Sequence, residues 1–429
     1  MITLIKGGSV VNPHAGTVEK RDLLIEKGKV SRILPKGALG ETPSISTTLD
    51  ASGKMIIPGL VDVHTHLREP GFEHKETIAS GAMAAAAGGY CAIACMPNTA
   101  PPNDCRSVTE FILDQGKRAD KARVYPIAAI SKGQKGESLV DFCELDSAGA
   151  VGVSDDGFPV LNSELMRRAL EYAHYCGLTV ISHCEDQNLS RGGVMHEGEI
   201  STRIGLPGIP GASEDIFVYR EISLARLTRC PVHIAHVSTG ASVELIRRAK
   251  DEGLPVTGET APHYFTLDHG VLVGYNTRFK VNPPLRTSDD VDQIKKGLSD
   301  GVIDMIATDH APHDSLEKEV EFDKAAFGMI GLQTALPLTL DLVREGIMTL
   351  PEAIKKLSSN GAALLGVPGG EIKEGGNADL AIIDTEYEYC FEESDIFSKS
   401  MNSPFLGRML KGRCDLTMVG GKIVYQRDT

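Results

Sequence analysis

The stretch MIIPGLVDVHTHLREP, residues 55–70, begins as a nearly continuous apolar run and ends in two histidines and an arginine. A run of that kind reads as a buried strand. Side chains two apart on a strand point to the same side, so His64 and His66 share a face at its end and Arg68 follows in the same alternation. A histidine pair alone is weak evidence for a metal, because half-buried histidines are common. It gains meaning only if other ligand-type residues stand at the ends of other strands.

Working outward, apolar strand candidates alternate with amphipathic segments from residue 55 onward. The strands are expected at 56–66, 90–98, 123–131, 150–156, 178–185, 231–238, 254–259 and 304–310. Between them lie helix-like segments such as KETIASGAMAAAAGG, SELMRRALEYAHYCG and ASVELIRRAKDEG, the last two with apolar residues three and four apart. Several close on glycine, as helix C-termini often do. Eight strands in β/α alternation predict an α/β TIM barrel over residues 55–365. A doubly wound open sheet is the alternative, but no G-x-G-x-x-G turn follows the first strand. A glycine- and proline-rich excursion at 187–212 and a second excursion at 264–298 are expected to overhang the barrel mouth. Both chain ends are β-rich, with Gly-Lys pairs marking hairpin turns, which predicts one small β domain built from residues 1–54 plus 366–429.

The 429 residues suit a large barrel plus an appendage. With 44 basic against 58 acidic residues the net charge is −14, spread along the chain, which argues against a nucleic-acid surface. No apolar run approaches the roughly 20 residues of a membrane span, and the N-terminus lacks a basic-then-apolar signal. A cytoplasmic protein is expected. The nine cysteines show no C-x-x-C spacing and several sit in apolar segments, so buried reduced thiols are expected in preference to disulfides or zinc-thiolate sites.

The strand ends answer the question raised by the histidine pair. Strand four ends in GVSDDG with Asp155 and Asp156, five in ISHCED with His183, six in IAHVST with His236, and eight in IATDHAPH with Asp309. Any one of these could cap a turn or be a satisfied core histidine. Gathered at one barrel mouth they predict a metal site. The set is too large for one tetrahedral zinc and suits two divalent ions bridged by a carboxylate and a hydroxide.

The segments HTHLREPG, MPNTAPPND, SDDG, SHCED, HVST, NPPLR and ATDHAPH, in this order, resemble the amidohydrolase superfamily. More narrowly, they resemble the longer, type I dihydroorotases of bacteria, over essentially the whole chain. The resemblance implies a TIM barrel with a composite β-sandwich and one or two Zn2+ per subunit, two being expected. His64, His66 and Asp309 would hold one ion, and His183 and His236 the other. Many relatives bridge the ions with a carbamylated lysine on strand four, but no lysine occurs here between Lys135 and Lys250. The resemblance points instead to Asp156, with Asp155 as the alternative. It also implies Arg68, Asn98 and His313 as a site for the substrate carboxylate, Asn282 as a ring contact, and Asp309 as general acid and base. His263 is expected to be structural, and Gln333 stands where the family would have glutamate. The implied activity is the reversible cyclisation of N-carbamoyl-L-aspartate to L-dihydroorotate plus water, by attack of a metal-activated hydroxide on the ring amide. That reaction belongs to de novo pyrimidine biosynthesis. A homodimer and an association with aspartate transcarbamoylase are the implied partners, with no nucleic acid and no membrane. The competing readings are a hydantoinase- or allantoinase-type cyclic amidase and an inactive scaffold for aspartate transcarbamoylase. Arg68 with Asn98 and His313 argues against the first, and retention of every ligand argues against the second.

Overall fold

Residues 56–66, read as one strand, fold as two. In the computed structural model, which describes residues 2–38 and 45–427, Met55–Pro58 belongs to one sheet and Leu60–Thr65 to another. Gly59 is the joint. Its N–H donates to the Asp379 carbonyl, and a Cβ at this position would lie 2.1 Å from Cys91 Sγ, so only glycine permits the approach. His64 is thus inside its strand and His66 is one residue beyond it.

The barrel strands are β1 (Leu60–Thr65), β2 (Tyr90–Cys95), β3 (Arg123–Ala128), β4 (Gly152–Val153), β5 (Val180–Ser182), β6 (Val232–Ile234), β7 (Val256–Thr260) and β8 (Met305–Ile306). They pair in chain order and in parallel. A parallel bridge between Thr65 and His310, with the His66 N–H donating to the His310 carbonyl at 2.8 Å, joins the exits of β1 and β8 and nearly closes the ring. This is the TIM-barrel class. Most strands are shorter than their apolar runs predict, because the last residues of each run already leave the ladder toward the mouth.

The expected helices form at Ile78–Ala87, Ser163–Tyr175 and Gly240–Asp251. Thr77, Asn162 and Thr239 cap them by accepting from backbone N–H groups that have no partner within the helix. In Ser163–Tyr175 the buried face is Met166, Ala169, Leu170 and Ala173, the three- and four-residue spacing of a helix lying against a barrel. The excursion at 187–212 contains the short helices Gln187–Ser190 and Glu199–Ile204 and a two-stranded pairing of Met195–His196 with Gly208–Ile209. The second excursion is shorter than expected, since Ser288–Ser299 is a helix with Thr287 as its cap.

The terminal strands make one eight-stranded sheet. Met55–Pro58 stitches it together, pairing in parallel with Ile2–Asn12 and antiparallel with Leu380–Cys390. Its core holds Ile5, Leu23, Val30, Ile56, Leu380 and Met418, drawn from both chain ends. The hairpin turn at Lys27–Gly28 has φ of 49° and 78°, the paired positive values of a type I′ turn. Residues 1, 39–44 and 428–429 of the expected β domain lie outside the described residues.

The cysteine expectation needs one correction. Cys143 and Cys176 form a disulfide, with Cα atoms 5.1 Å apart, joining helix Phe142–Ala148 to the end of Ser163–Tyr175. Their separation of 33 residues leaves no local signal; helix packing brings them together. Cys91, Cys95, Cys184, Cys230 and Cys414 are buried free thiols.

Candidate active site

Parallel strands in a closed ring end at one mouth, so their C-terminal loops converge there. His64 lies in β1, and His66, Asp156, His183, His236 and Asp309 follow within three residues of the ends of β1, β4, β5, β6 and β8. Loop backbone can aim side chains where strand backbone cannot. Arg68, His236 and Asp309 take φ of 64°, 32° and 47°, a region L side chains rarely adopt. Such strain gathers at functional sites, where surrounding contacts hold it.

Asp156 sits at the centre of the cluster. Its Oδ1 lies 3.5 Å from His64 Nε2 and 3.3 Å from both His183 Nδ1 and His236 Nε2, while its Oδ2 lies 3.4 Å from His66 Nε2. Asp309 Oδ1 is 3.2 Å from His66 Nε2 and 3.7 Å from His64 Nε2. All six residues are buried. Their donor atoms form two groups, His64 with His66 and Asp156, and Asp156 with His183 and His236, each within 4.8 Å. His64 Nε2 is buried without a hydrogen-bond partner. An orphaned imidazole nitrogen among carboxylates and other imidazole nitrogens fits a divalent cation better than it fits a packed core. Asp155 faces elsewhere, accepting from the N–H groups of Ile130 and Ser131.

The ring nitrogens turned away from the cluster are held by oxygens. His64 Nδ1 donates to Glu259 Oε1 at 2.7 Å, His66 Nδ1 to Asn98 Oδ1 at 2.9 Å, and His183 Nε2 to Glu185 Oε2 at 2.8 Å. Each contact holds the opposite nitrogen toward the cluster, where a bound cation would take the lone pair that a proton occupies in its absence. Charges follow the same plan. Burial would raise Asp309, but the His66 hydrogen bond and the His64 charge hold it well below the usual carboxylate range. Burial likewise opposes ionisation of Asp156, and the His64 charge with the hydrogen bonds of His183 and His236 outweighs it. Burial would lower His183, yet Asp156 and Glu185 raise it to about 10; burial would raise Glu185, yet His183 brings it to about 2.

Beside the cluster lies a cation with an open hand. Arg68 is 9% exposed; its Nε donates to the Pro312 carbonyl at 3.2 Å and its Nη2 to His313 Nε2 at 3.2 Å. His313 Nδ1 donates to Glu317 Oε2 at 2.6 Å. Burial and the Arg68 charge push His313 down to about 3, so the ring is neutral, and burial lowers Arg68 only to about 10, so the guanidinium stays charged. Among the described residues no carboxylate pairs with Arg68. A buried guanidinium without an internal anion is costly unless a ligand supplies one. Asn98, its oxygen engaged by His66, keeps its amide N–H groups to donate.

Other expected residues fall differently. Asn282 Nδ2 donates to Glu185 Oε2 at 3.0 Å, tying the NPP loop to the carboxylate behind His183. His263, expected to be structural, is buried just past β7, and its Nε2 has no partner, unlike a satisfied core histidine. Gln333 lies away from the cluster, accepting from the Phe397 N–H and donating to the Asp395 carbonyl, and so anchors the C-terminal segment. Glu185 and Glu259 went unread in the sequence. The signal for Glu185 was its place two residues after His183; for Glu259 it was a carboxylate near the end of the one late strand without a candidate ligand.

Comparison with known proteins agrees along the whole chain. Residues 53–242 match the family described as dihydro-orotase-like, and residues 224–425 match the amidohydrolase family. A protein of Syntrophus aciditrophicus named dihydroorotase is 50% identical over 428 residues, covering 100% of both chains. One of Pelotomaculum thermopropionicum with the same name is 52% identical over 427 residues, covering 99% of both. Among solved structures, an L-hydantoinase (dihydropyrimidinase) from Arthrobacter aurescens superposes with a TM-score of 0.86 at 25% identity, over 99% of this chain and 96% of its own. A dihydropyrimidinase from Brevibacillus agri, at 23% identity and TM-score 0.84, covers 99% of this chain and 95% of its own and shares the fold.

Proposed function

The chain belongs to the dihydroorotase family of the amidohydrolase superfamily, and from that premise we propose that it interconverts N-carbamoyl-L-aspartate and L-dihydroorotate plus water, a step of de novo pyrimidine biosynthesis. The observation that carries the substrate assignment is Arg68, a buried cation beside the His/Asp cluster that no carboxylate among the described residues pairs with. Dihydroorotate is a cyclic amide that brings a carboxylate of its own.

The cluster is a metal site. His64, His66 and Asp309 would hold one divalent ion and His183 and His236 a second, with Asp156 shared; two Zn2+ per subunit is the proposed occupancy. When bound, the metal supplies a water acidic enough to ionise near neutral pH and positive charge for a carbonyl oxygen. The protein's own residues do the rest. Arg68 clasps the substrate carboxylate, joined by His313 and the Asn98 amide, which fixes the ring amide against the cluster. Asp309 takes the proton of the attacking water and delivers it to the ring nitrogen as the C–N bond breaks. In cyclisation it takes the proton from the carbamoyl nitrogen and returns it to the departing oxygen.

The test is an assay of both substrate types. Cyclisation of N-carbamoyl-L-aspartate is expected, with little turnover of hydantoin; hydantoin turnover without cyclisation overturns the assignment and leaves the cyclic-amidase reading that the solved relatives favour. Cyclisation takes up one proton as a carboxylate becomes an amide carbonyl, so the same assay should show more dihydroorotate at equilibrium as pH falls. Arg68→Ala is expected to raise KM by about 10- to 100-fold, the worth of one or two hydrogen bonds to a charged group, with a smaller effect on kcat. An unchanged KM removes Arg68 from the carboxylate site.

No helix among the described residues is long and apolar enough to cross a membrane. A cytoplasmic location, a homodimer and an association with aspartate transcarbamoylase complete the proposal, and sedimentation with co-purification checks the two assemblies.

A further inference from the structure

We propose that Glu259, backed by His233, is a positioning residue for this reaction: it fixes the tautomer and ring direction of His64 and thereby tunes the metal site that His64 serves. The inference rests on the reading of His64 as a ligand. β7 contributes no candidate ligand to the mouth, yet it places a carboxylate at Glu259 that is 0% exposed. That carboxylate spans the barrel interior. Oε1 accepts from His64 Nδ1 at 2.7 Å across a sequence separation of 195, and Oε2 accepts from His233 Nε2 at 3.1 Å. With Nε2 carrying the proton, His233 Nδ1 accepts from the Thr257 hydroxyl at 2.8 Å. His233 and Thr257 are register partners on β6 and β7, and Thr257 and Glu259 share a strand face. The chain of contacts therefore has one sense throughout, and it ends at a ring whose Nε2 is buried and unpartnered.

Packing alone does not account for this arrangement. A carboxylate at 0% exposure is unfavourable unless it is fully hydrogen-bonded, and an apolar side chain would fill the same space without that cost. His64 and His233 meet the need from opposite sides, and both are also 0% exposed. His66 and His183 are oriented by Asn98 and Glu185 at the half-buried rim, but His64 is oriented wholly inside the barrel. A carboxylate hydrogen-bonded behind a ligand histidine raises its basicity and holds its free nitrogen on the metal, so its loss weakens binding about 10- to 100-fold.

The experiment measures metal affinity by chelator competition and reads the protonation of the His64 ring nitrogens in two-bond proton–nitrogen spectra of zinc-saturated, histidine-labelled protein. Glu259→Gln keeps an acceptor for His64 but removes the charge, and is expected to weaken metal binding about tenfold; Glu259→Leu removes both and is expected to weaken it about 100-fold. In the leucine variant His64 should leave the Nδ1–H form. In both variants kcat should fall at fixed metal concentration while KM stays within about twofold, because Arg68 is untouched. Wild-type affinity with His64 still in the Nδ1–H form overturns the proposal. Should Glu259→Leu fail to fold, the isosteric Glu259→Gln decides alone, and unchanged affinity overturns it. His64→Asn separates this from failure of the underlying reading: if that variant keeps full metal stoichiometry, His64 is no ligand. If it loses metal while the Glu259 variants do not, the positioning role alone falls.

Discussion

Asparagine in place of Asp309 is expected to lower turnover about 10³-fold in both directions, the middle of the range for a lost general acid and base. The side chain is 7% exposed, and its Oδ1 faces His66 and His64 at 3.2 and 3.7 Å. The His66 hydrogen bond and the His64 charge outweigh burial and keep it ionised, the unprotonated form that the role requires. Asparagine preserves the shape and an oxygen toward His66 but has no basic site. KM should change little, since Arg68 and His313 form a separate contact. Initial rates in both directions, with metal content measured on the same samples, check this. Turnover within tenfold of wild type at full metal loading removes Asp309 from proton transfer. A slow enzyme restored by added metal makes it a ligand only.

Asp156→Ala is expected to weaken metal binding by more than about 100-fold, beyond what an outer residue behind a ligand contributes, and to abolish measurable turnover. One carboxylate approaches all four imidazoles between 3.3 and 3.5 Å, so its removal dismantles both donor groups at once. The neighbouring Asp155→Ala is the control. It should leave metal content intact and lower Tm instead, because it strands the buried N–H groups of Ile130 and Ser131, at about 1–3 kcal/mol each. Metal analysis after dialysis distinguishes the two aspartates. The reverse pattern would transfer the bridging role to Asp155.

The barrel was legible because its signals are local. Apolar runs ending in His or Asp, helices at three- and four-residue spacing and closing glycines each report within about a dozen residues. Strand lengths were less legible. In Leu178 to Glu185 burial continues past Ser182, where the ladder stops, through His183 and Cys184, since burial at a barrel mouth does not require strand geometry. Gly59 shows the same limit: Pro58-Gly59 in MIIPGLVDV permits a break, but that the chain changes sheets there, with Cys91 of a neighbouring strand packed against the glycine, is visible only in the fold. The Cys143–Cys176 disulfide is likewise decided by two helices meeting.

What the sequence determined by itself is the order of eight strands, the residues at their ends, the absence of a lysine on strand four and the nearness of Arg68 to the histidine pair. Only the tertiary structure decided which of those residues meet and how they are aimed. Alternation dictates facing along a strand, but past its end the loop dihedrals take over, as the positive φ of Arg68, His236 and Asp309 shows. Barrel closure did the rest. It placed Asp156 within reach of all four imidazoles while Asp155 turned to Ile130 and Ser131, and it set Glu259 behind His64. It also left Arg68 buried without a paired carboxylate among the described residues, because that pairing depends on which side chains the ring brings within ion-pair distance, and no local pattern encodes it.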